Sequence, residues 1–295
     1  MKIGIYGQFY HENSEIYIKQ ILETLQHKNI KVVIEANFLE LIDKRRNFSE
    51  SFSSLSTFTE LDNSYDLFFA IGGDGTLLKA VTFVRDLGIP IVGINTGRLG
   101  FLATLQKEKI TESLHHILEG NYTISERSLL SITTDPETDS AQPPLNFALN
   151  EVAVNRKNTT SMIKVETSVN GHYLTSYWSD GLIVATPTGS TGYSLSCGGP
   201  VIDPNTNSIV ITPIAPHNLN ARPFVIPDDS ELSLKVTTRE KSFLVSLDSR
   251  IATLENETVI HIKKAPFRIQ LVQLSSESFI KTLRKKLLWG EDKRN

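Results

Sequence analysis

Residues 67–80, LFFAIGGDGTLLKA, pass from an apolar run into Gly-Gly-Asp-Gly and at once into a helical pattern. A strand that ends in glycines and opens a helix is the joint of a strand–helix–strand unit. Such units need a parallel sheet with helices over its faces. The flanking sequence repeats the rhythm. KIGIYG reads as a strand, and Ile18, Ile21, Leu22 and Leu25 follow at helical spacing. KVVIEA and PIVGIN are further β-rich runs. TLLKAVTFVRDL reads as a helix ended by Gly88, and EKITESLHHILEG as one stopped by Gly120. Residues 45–64, with Phe48, Phe52 and Phe58 among polar residues, read as a long loop or weak helix.

From about residue 126 the period changes. SLLSITT, NFALNEVAV, MIKVETSV, GLIVAT, SIVITPI, ELSLKV, SFLVSL, TVIHIK and FRIQLVQL follow one another as short β-rich pieces. Turn residues such as the NG of VNGHY, PDD and ENE separate them, and DPETDSAQPP reads as a polar hairpin loop. This pattern predicts an antiparallel sandwich or packed sheets. The last twenty residues return to helix, with Ser276 as cap and Phe279, Ile280, Leu283, Leu287 and Leu288 as one apolar stripe. A lone helix after a β domain needs a surface to cover, and the first domain offers one. The predicted division is therefore 1–125 with 275–295, and 126–274.

The balance of charges excludes some partners. A formal net charge of -3 gives no general attraction to nucleic acid or anionic membrane. The basic cluster 284–286 reads as a solvated helix face. No apolar run approaches the ~18 residues of a membrane span. The single cysteine, Cys197, forbids an intrachain disulfide and fits a reducing compartment, so a cytoplasmic location is expected.

In an open parallel sheet, ligands bind at the carboxyl ends of strands, and Gly-Gly-Asp-Gly lies at such an end. Gly72, Gly73 and Gly75 let backbone amides approach an anion, and the helix beginning near Thr76 adds a positive dipole end. Lys79, one turn in, is placed to reach a phosphate or simply to stay exposed. Asp74 is the odd member, because a carboxylate repels phosphate. Its chemical readings are a base toward an attacking hydroxyl or a ligand of Mg²⁺ beside phosphates; its structural reading is a helix cap or turn residue.

The second constellation is SDGLIVATPTGSTGYSLSCGGPVIDP, residues 179–204, rich in glycine and proline. Its hydroxyls at Thr186, Thr188, Ser190, Thr191, Ser194 and Ser196 suit the lining of a polar pocket. Tyr193 offers a face for a flat ring, and Asp180 an acceptor for an amide or sugar hydroxyl. A tight loop that binds nothing is the plainer reading. Asn150-Glu151, inside an otherwise apolar strand, are costly to bury without partners, although adjacent strand residues face opposite ways.

GGDGTLLK, the LNE of 149–151 and DGLIVATPTGSTGYSLSCGGP, in this order and at these separations, closely resemble the NAD kinase family. NTGRLGFLA and TPIAPHNLNARPFV resemble its segments too, so the resemblance runs from about residue 67 to 250. It implies a Rossmann-like parallel-sheet α/β domain followed by a β-rich, sandwich-like domain, with the final helix returning to the first. It implies phosphorylation of the 2′-hydroxyl of the adenosine ribose of NAD by ATP with a divalent metal, Mg²⁺ or Mn²⁺. By the same resemblance Asp74 is the general base and Gly75 lies against the nucleotide. Asn150 and Glu151 match the pair at the ribose, and Thr191, Gly192, Tyr193, Ser194, Leu195 and Ser196 match the segment around the adenosine half. Asp180 matches the contact to the other half, Phe101 and Ala215 fall on pocket-lining positions, and Arg250 and Ser161 where some relatives place a ligand contact. Gly72, Gly73 and Lys79 fall beside the phosphates.

Two positions depart from the pattern. Many relatives have alanine where Gly192 stands, and many have a basic residue at the position of Trp178, where an aromatic cannot pair with a phosphate. The histidines show no metal-ligand spacing, so the metal is expected on oxygen ligands supplied largely by ATP. A homo-oligomer, dimer or tetramer, is expected on family grounds, with neither nucleic acid nor membrane as partner. Gly-Gly-Asp-Gly is shared with lipid kinases of the diacylglycerol and sphingosine type, which together with a non-catalytic NAD(H) sensor form the competing readings.

Overall fold

The computed structural model describes residues 1–8, 14–44, 55–137, 146–158 and 161–290. The chain divides into two units, Met1–Glu126 with Ile269–Asn295, and Arg127–Arg268.

The first unit is built on the predicted alternation. In order come β1 (Lys2–Gly7), α1 (Ser14–His27), β2 (Lys31–Glu35), α2 (Ala36–Asp43), β3 (Ser56–Phe58), β4 (Leu67–Gly72), α3 (Asp74–Val84), β5 (Ile91–Asn95), β6 (Leu105–Gln106) and α4 (Ile110–Leu118). The strands pair in parallel in the order β3-β2-β1-β4-β5, with β6 beside β5. β4 is buried along its whole length, as a central strand covered on both faces must be. Ile18, Ile21, Leu22 and Leu25 of α1 pack with Ile3, Ile5 and Phe69 in one core. The chain runs from β1 outward to β2, then crosses back past β1 to β4, so the topological switch lies between β1 and β4. In open sheets of this kind the ligand crevice opens at the carboxyl ends of those two strands. Here those ends are Gly7 and Gly72.

Two expectations for this unit change. Within 45–64, residues 45–54 lie outside the described residues, Phe48 and Phe52 among them, whereas Ser56–Phe58 is a strand parallel to β2. Phe58 is buried at a ring distance of 5.8 Å from Phe68, which ties the segment to the sheet. α3 does not run to Gly88: Arg85 takes a positive φ of 49° and turns the chain out of the helix.

The second unit is a two-sheet β sandwich. Its strands are β7 (Thr123–Asp135), β8 (Phe147–Ala148), β9 (Glu151–Asn155), β10 (Ile163–Val169), β11 (His172–Ser179) and β12 (Gly181–Ala185). After a one-turn helix over Thr188–Thr191 and the short α5 (Tyr193–Ser196) come β13 (Ser208–Ile214), β14 (Phe224–Pro227), β15 (Leu232–Thr237), β16 (Ser242–Leu247), β17 (Arg250–Glu255) and β18 (Val259–Gln273). One sheet runs β14-β13-β12-β9-β16-β17, antiparallel throughout. The other joins β11, β10, β15 and β18, with β7 and β8 beyond. Val152, Val154, Val184 and Val245 from the first share a core with Val165, Leu234, Val236 and Ile260 from the second.

HYLTSYWS, absent from the expected strands, forms β11, because the NG turn at Asn170-Gly171 closes a hairpin with β10. TVIHIK and FRIQLVQL are one strand. Its register with β15 ends at Ile262, before Pro266, so that ladder loses no donor. NFALNEVAV is split at Leu149-Asn150.

The chain ends in α6 (Phe279–Leu287), in the first unit, where Leu271 of β18 also pairs with Ile91 of β5. Its cap is Ser278, not Ser276: the Ser278 hydroxyl accepts from the Lys281 amide. Only Leu283 of the expected stripe is fully buried; Ile280 and Leu288 are exposed. The basic cluster is exposed but not idle, since Lys285 bonds Gln106 and Lys286 lies 5.6 Å from the Phe101 ring centre. Phe279 also packs near Phe101, at 6.4 Å. α6 thus buttresses the loop that follows β5.

Candidate functional site

Asp74 is the first residue of α3, with Gly73 as a cap that makes no side-chain bond. The carboxylate does not cap its own helix. It reaches the loop after β5, where Oδ2 accepts from the Phe101 amide at 2.8 Å and Oδ1 from Leu102 and Ala103 at 3.0 Å each. Two carboxylate oxygens offer about four acceptor positions. Among the described residues three are taken, and the one remaining is on Oδ2. Asn95 shapes the same loop: its Oδ1 accepts from Gly97 and its Nδ2 donates to the Arg98 carbonyl at 2.7 Å. At Gly100 a methyl group would fall on the Asp74 carboxylate, so this glycine clears the space the aspartate occupies.

Beside Asp74 opens a cleft of about 440 Å³, bounded by Gly72, Gly73, Gly75, Thr96, Gly97 and Arg98. A Cβ at Gly73 or Gly75 would meet nothing, so the cleft stays open beside the N-terminus of α3, an arrangement that suits phosphate oxygens. Thr76 is buried, and its hydroxyl reaches Gln8 at the end of β1 at 3.2 Å. Lys79, a phosphate candidate in the sequence, is exposed and does not border this cleft; Arg98 does.

The second unit holds the other candidates. Asn150 and Glu151 sit where β9 begins, and Asp248 explains the break before them. Its carboxylate accepts the amides of Leu149 at 3.0 Å, Asn150 at 2.7 Å and Glu151 at 3.2 Å, which removes them from any ladder. On the other side the Thr186 hydroxyl donates to the Leu149 carbonyl at 2.6 Å and accepts from Gly189. The pair is gripped twice. Glu151 is buried, and among the described residues neither its Oε2 nor the Asn150 Oδ1 has a hydrogen-bond partner. Burial, then the negative charge of Asp248, raise the Glu151 pKa to about 8, against the Tyr193 amide that bonds the carboxylate.

The hydroxyl-rich loop divides by role. Thr186, Ser190 and Ser194 are buried and serve as internal struts. Ser190 bonds Pro187 and Ile202, and Ser194 meets the Thr212 hydroxyl at 2.8 Å. Thr191 bonds the Thr188 carbonyl at 3.3 Å, leaving Tyr193 and Ser196 exposed on the surface of the loop and Gly192 and Leu195 half-buried. Arg127, missed in the sequence, donates to Thr188 at 3.4 Å. Desolvation lowers its pKa to about 10, so it stays charged at neutral pH. Asp180 forms an ion pair with Arg156 at 2.9 Å and keeps about a third of its side chain exposed. Arg250 donates to Asn146 and the Phe147 carbonyl and lies over the Phe147 ring. Ala215, at φ 45°, is exposed after β13, Ser161 is half-buried, and Trp178 is exposed on β11. Among the described residues no three His, Cys, Asp or Glu side chains gather as a metal site.

The chain matches the ATP-NAD kinase N-terminal domain over residues 3–122 and the ATP-NAD kinase C-terminal domain over 149–274. It belongs to the ATP-NAD kinase family. An NAD kinase of Christiangramia forsetii is 62% identical over 296 residues, covering 100% of both chains. That of Flavobacterium johnsoniae is 55% identical, again over 100% of both. In shape the chain is similar to yeast NADH kinase complexed with NADH, with a TM-score of 0.86 at 21% identity over 99% of this chain and 88% of that one. It is also similar to an NAD kinase from Archaeoglobus fulgidus in complex with ATP, with a TM-score of 0.75 at 25% identity over 98% and 99%. The chain is an enzyme of this family, with NAD kinase activity, and neither a lipid kinase nor a sensor is favoured. No helix of the described residues is long and apolar enough to cross a membrane.

Proposed function

We propose that this kinase transfers the γ-phosphoryl group of ATP to the 2′-hydroxyl of the adenosine ribose of NAD, with Asp74 as general base. The observation that carries the reading is the Asp74 carboxylate, fixed by three amides beside a glycine-lined cleft, with one acceptor position left on Oδ2. A carboxylate is a far weaker base than an alkoxide, so it takes the hydroxyl proton late, as the bond from the ribose oxygen to phosphorus forms and the bond to the ADP oxygen breaks. The proton moves to Asp74, and ADP leaves.

Gly72 and Gly73 present amides to the phosphates, and Arg98 replaces Lys79 as the cation at that place. NAD falls to the second unit: Asn150, Glu151, Asp180, Thr191, Gly192, Tyr193, Ser194, Leu195, Ser196, Ala215 and Arg250 are its candidate contacts. The vacant acceptors on Asn150 and Glu151 suit ribose hydroxyls, and the exposed face of Tyr193 a ring. Ser194 and Arg250 contribute through the backbone they brace. With one carboxylate near the glycines and most of its acceptor positions taken, a divalent cation, Mg²⁺ or Mn²⁺, fits as a passenger on the oxygens of ATP, where it offsets phosphate charge. A homo-oligomer in the cytoplasm belongs to the same reading, and the lone Cys197 thiol supports a reducing compartment.

The test is NADP formation from ATP, Mg²⁺ and NAD by purified protein, read by enzymatic cycling. Saturable NAD binding without NADP would favour the sensor. Arg98→Ala is expected to raise the KM for ATP about tenfold, the worth of one bond to a charged group, with the KM for NAD unchanged. An unchanged KM for ATP would remove Arg98 from the phosphates.

A further inference from the structure

We propose that Asp248 is a positioning residue for NAD: it fixes the Leu149–Glu151 turn through three backbone amides and sets its charge against Glu151, so that Glu151 holds a proton which the arriving nucleotide displaces. The inference rests on the reading that Glu151 meets a ribose hydroxyl.

The geometry is specific. Asp248 lies in the turn between β16 and β17 at a positive φ of 53°, and its own amide donates back to the Glu151 carbonyl at 3.0 Å. Turn and strand are thus bonded in both directions, across 98 residues of sequence. The groups facing Glu151 are Asp248 from this turn and Tyr193 from α5. Arg250 acts on Asp248. Two carboxylates so placed do not both ionise readily. Burial raises the Asp248 pKa too, but three N–H bonds and the Arg250 charge oppose it; Glu151 has one opposing bond, from the Tyr193 amide, and an unpartnered Oε2, so the proton of the pair rests on Glu151. Ribose hydroxyls donate best to an ionised carboxylate. NAD binding below pH 8 therefore releases a proton, and affinity rises with pH, by up to about tenfold per unit, until it levels near 8. Removing the negative charge of Asp248 lowers the Glu151 pKa and moves that levelling point to lower pH.

The experiment is NAD affinity by calorimetry between pH 6 and 9 for wild type, Asp248→Asn and Glu151→Gln, each checked by thermal melting. We expect Asp248→Asn to bind about tenfold more weakly at its plateau, with the levelling point displaced downward. A levelling point that stays at the wild-type position overturns the proposal. Glu151→Gln should lose the pH dependence; if it binds as wild type does, the placement of Glu151 at the ribose falls instead. Should Asp248→Asn not fold, proton release on NAD binding to wild type at pH 7, measured in buffers of different ionisation enthalpy, decides. Close to one proton supports the proposal, and none overturns it.

Discussion

Gly100→Ala is expected to lower NADP formation at least about 10²-fold while the protein stays folded. The added methyl would fall on the Asp74 carboxylate itself, not on a flexible tip that can step aside without consequence. The carboxylate must then leave the amides of Phe101, Leu102 and Ala103, which fix its direction. Displacing a reacting group by about 1 Å costs on the order of 10² in rate. Asp74→Asn should lose as much by another route, since an amide keeps the shape but accepts no proton, and its NH₂ would face a backbone N–H. Both losses should fall in kcat, with the KM for ATP little changed, because the cleft beside Asp74 is lined by other residues. Steady-state kinetics and a melting curve suffice. A Gly100→Ala enzyme with wild-type kcat would show that the position in which Asp74 is held is not the one from which it acts.

The same loop shows what the sequence made legible. The apolar-to-glycine joint at 67–80 announces a parallel sheet because β4 is buried on both faces and cannot alternate. The Gly-Gly-Asp-Gly turn falls at the switch point of that sheet, as strand–helix order implies. The partner of the carboxylate was hidden. Local reading offered Asp74 its own helix to cap, whereas the structure sends it to amides 27 to 29 residues away. Lys79 is exposed away from that cleft for a helical reason: five residues past Asp74, it lies about 140° around the axis. Arg98 follows β5 at the carboxyl end of the sheet, a position that strand order would have flagged as facing ligand.

In the β unit the residue types were visible and their partners were not. Thr186, Ser190 and Ser194 read as a pocket lining because short hydroxyls line pockets, but tight turns consume the same hydroxyls. Asp248 carries no signal of its own in the sequence, since Asp suits any turn between two strands. Its role appears only once the sheet order brings β16 beside β9. Arg127 carried no local signal, being one charge beside Glu126 among serines. By contrast, the concern over burying Asn150-Glu151 anticipated the vacant acceptors, because the cost of an unpaired polar group does not depend on fold.

Gly189 and Gly192 stand three residues apart, and alanine is expected to be ruinous at the first and mild at the second. At Gly189 a Cβ would collide with the Asn150 backbone, its carbonyl oxygen closest. That carbonyl already accepts from the Thr186 amide at 2.9 Å, and the Asn150 amide is held by Asp248, so the strand cannot retreat. Overpacking against fixed backbone costs about 3 kcal/mol, a fall in Tm on the order of 10 °C, and it pries open the turn that carries Glu151. NAD affinity should fall at least about tenfold in Gly189→Ala. At Gly192, with φ at −95°, no glycine conformation is required, and a Cβ would stop 3.0 Å from Glu151 Oε2 and 3.2 Å from the Gly189 carbonyl oxygen, tight contacts but short of the overlap at Gly189. Gly192→Ala should therefore keep its Tm within about 2 °C. Equal losses at both positions would mean that the loop yields as one body and that the Asn150 backbone is not a fixed wall.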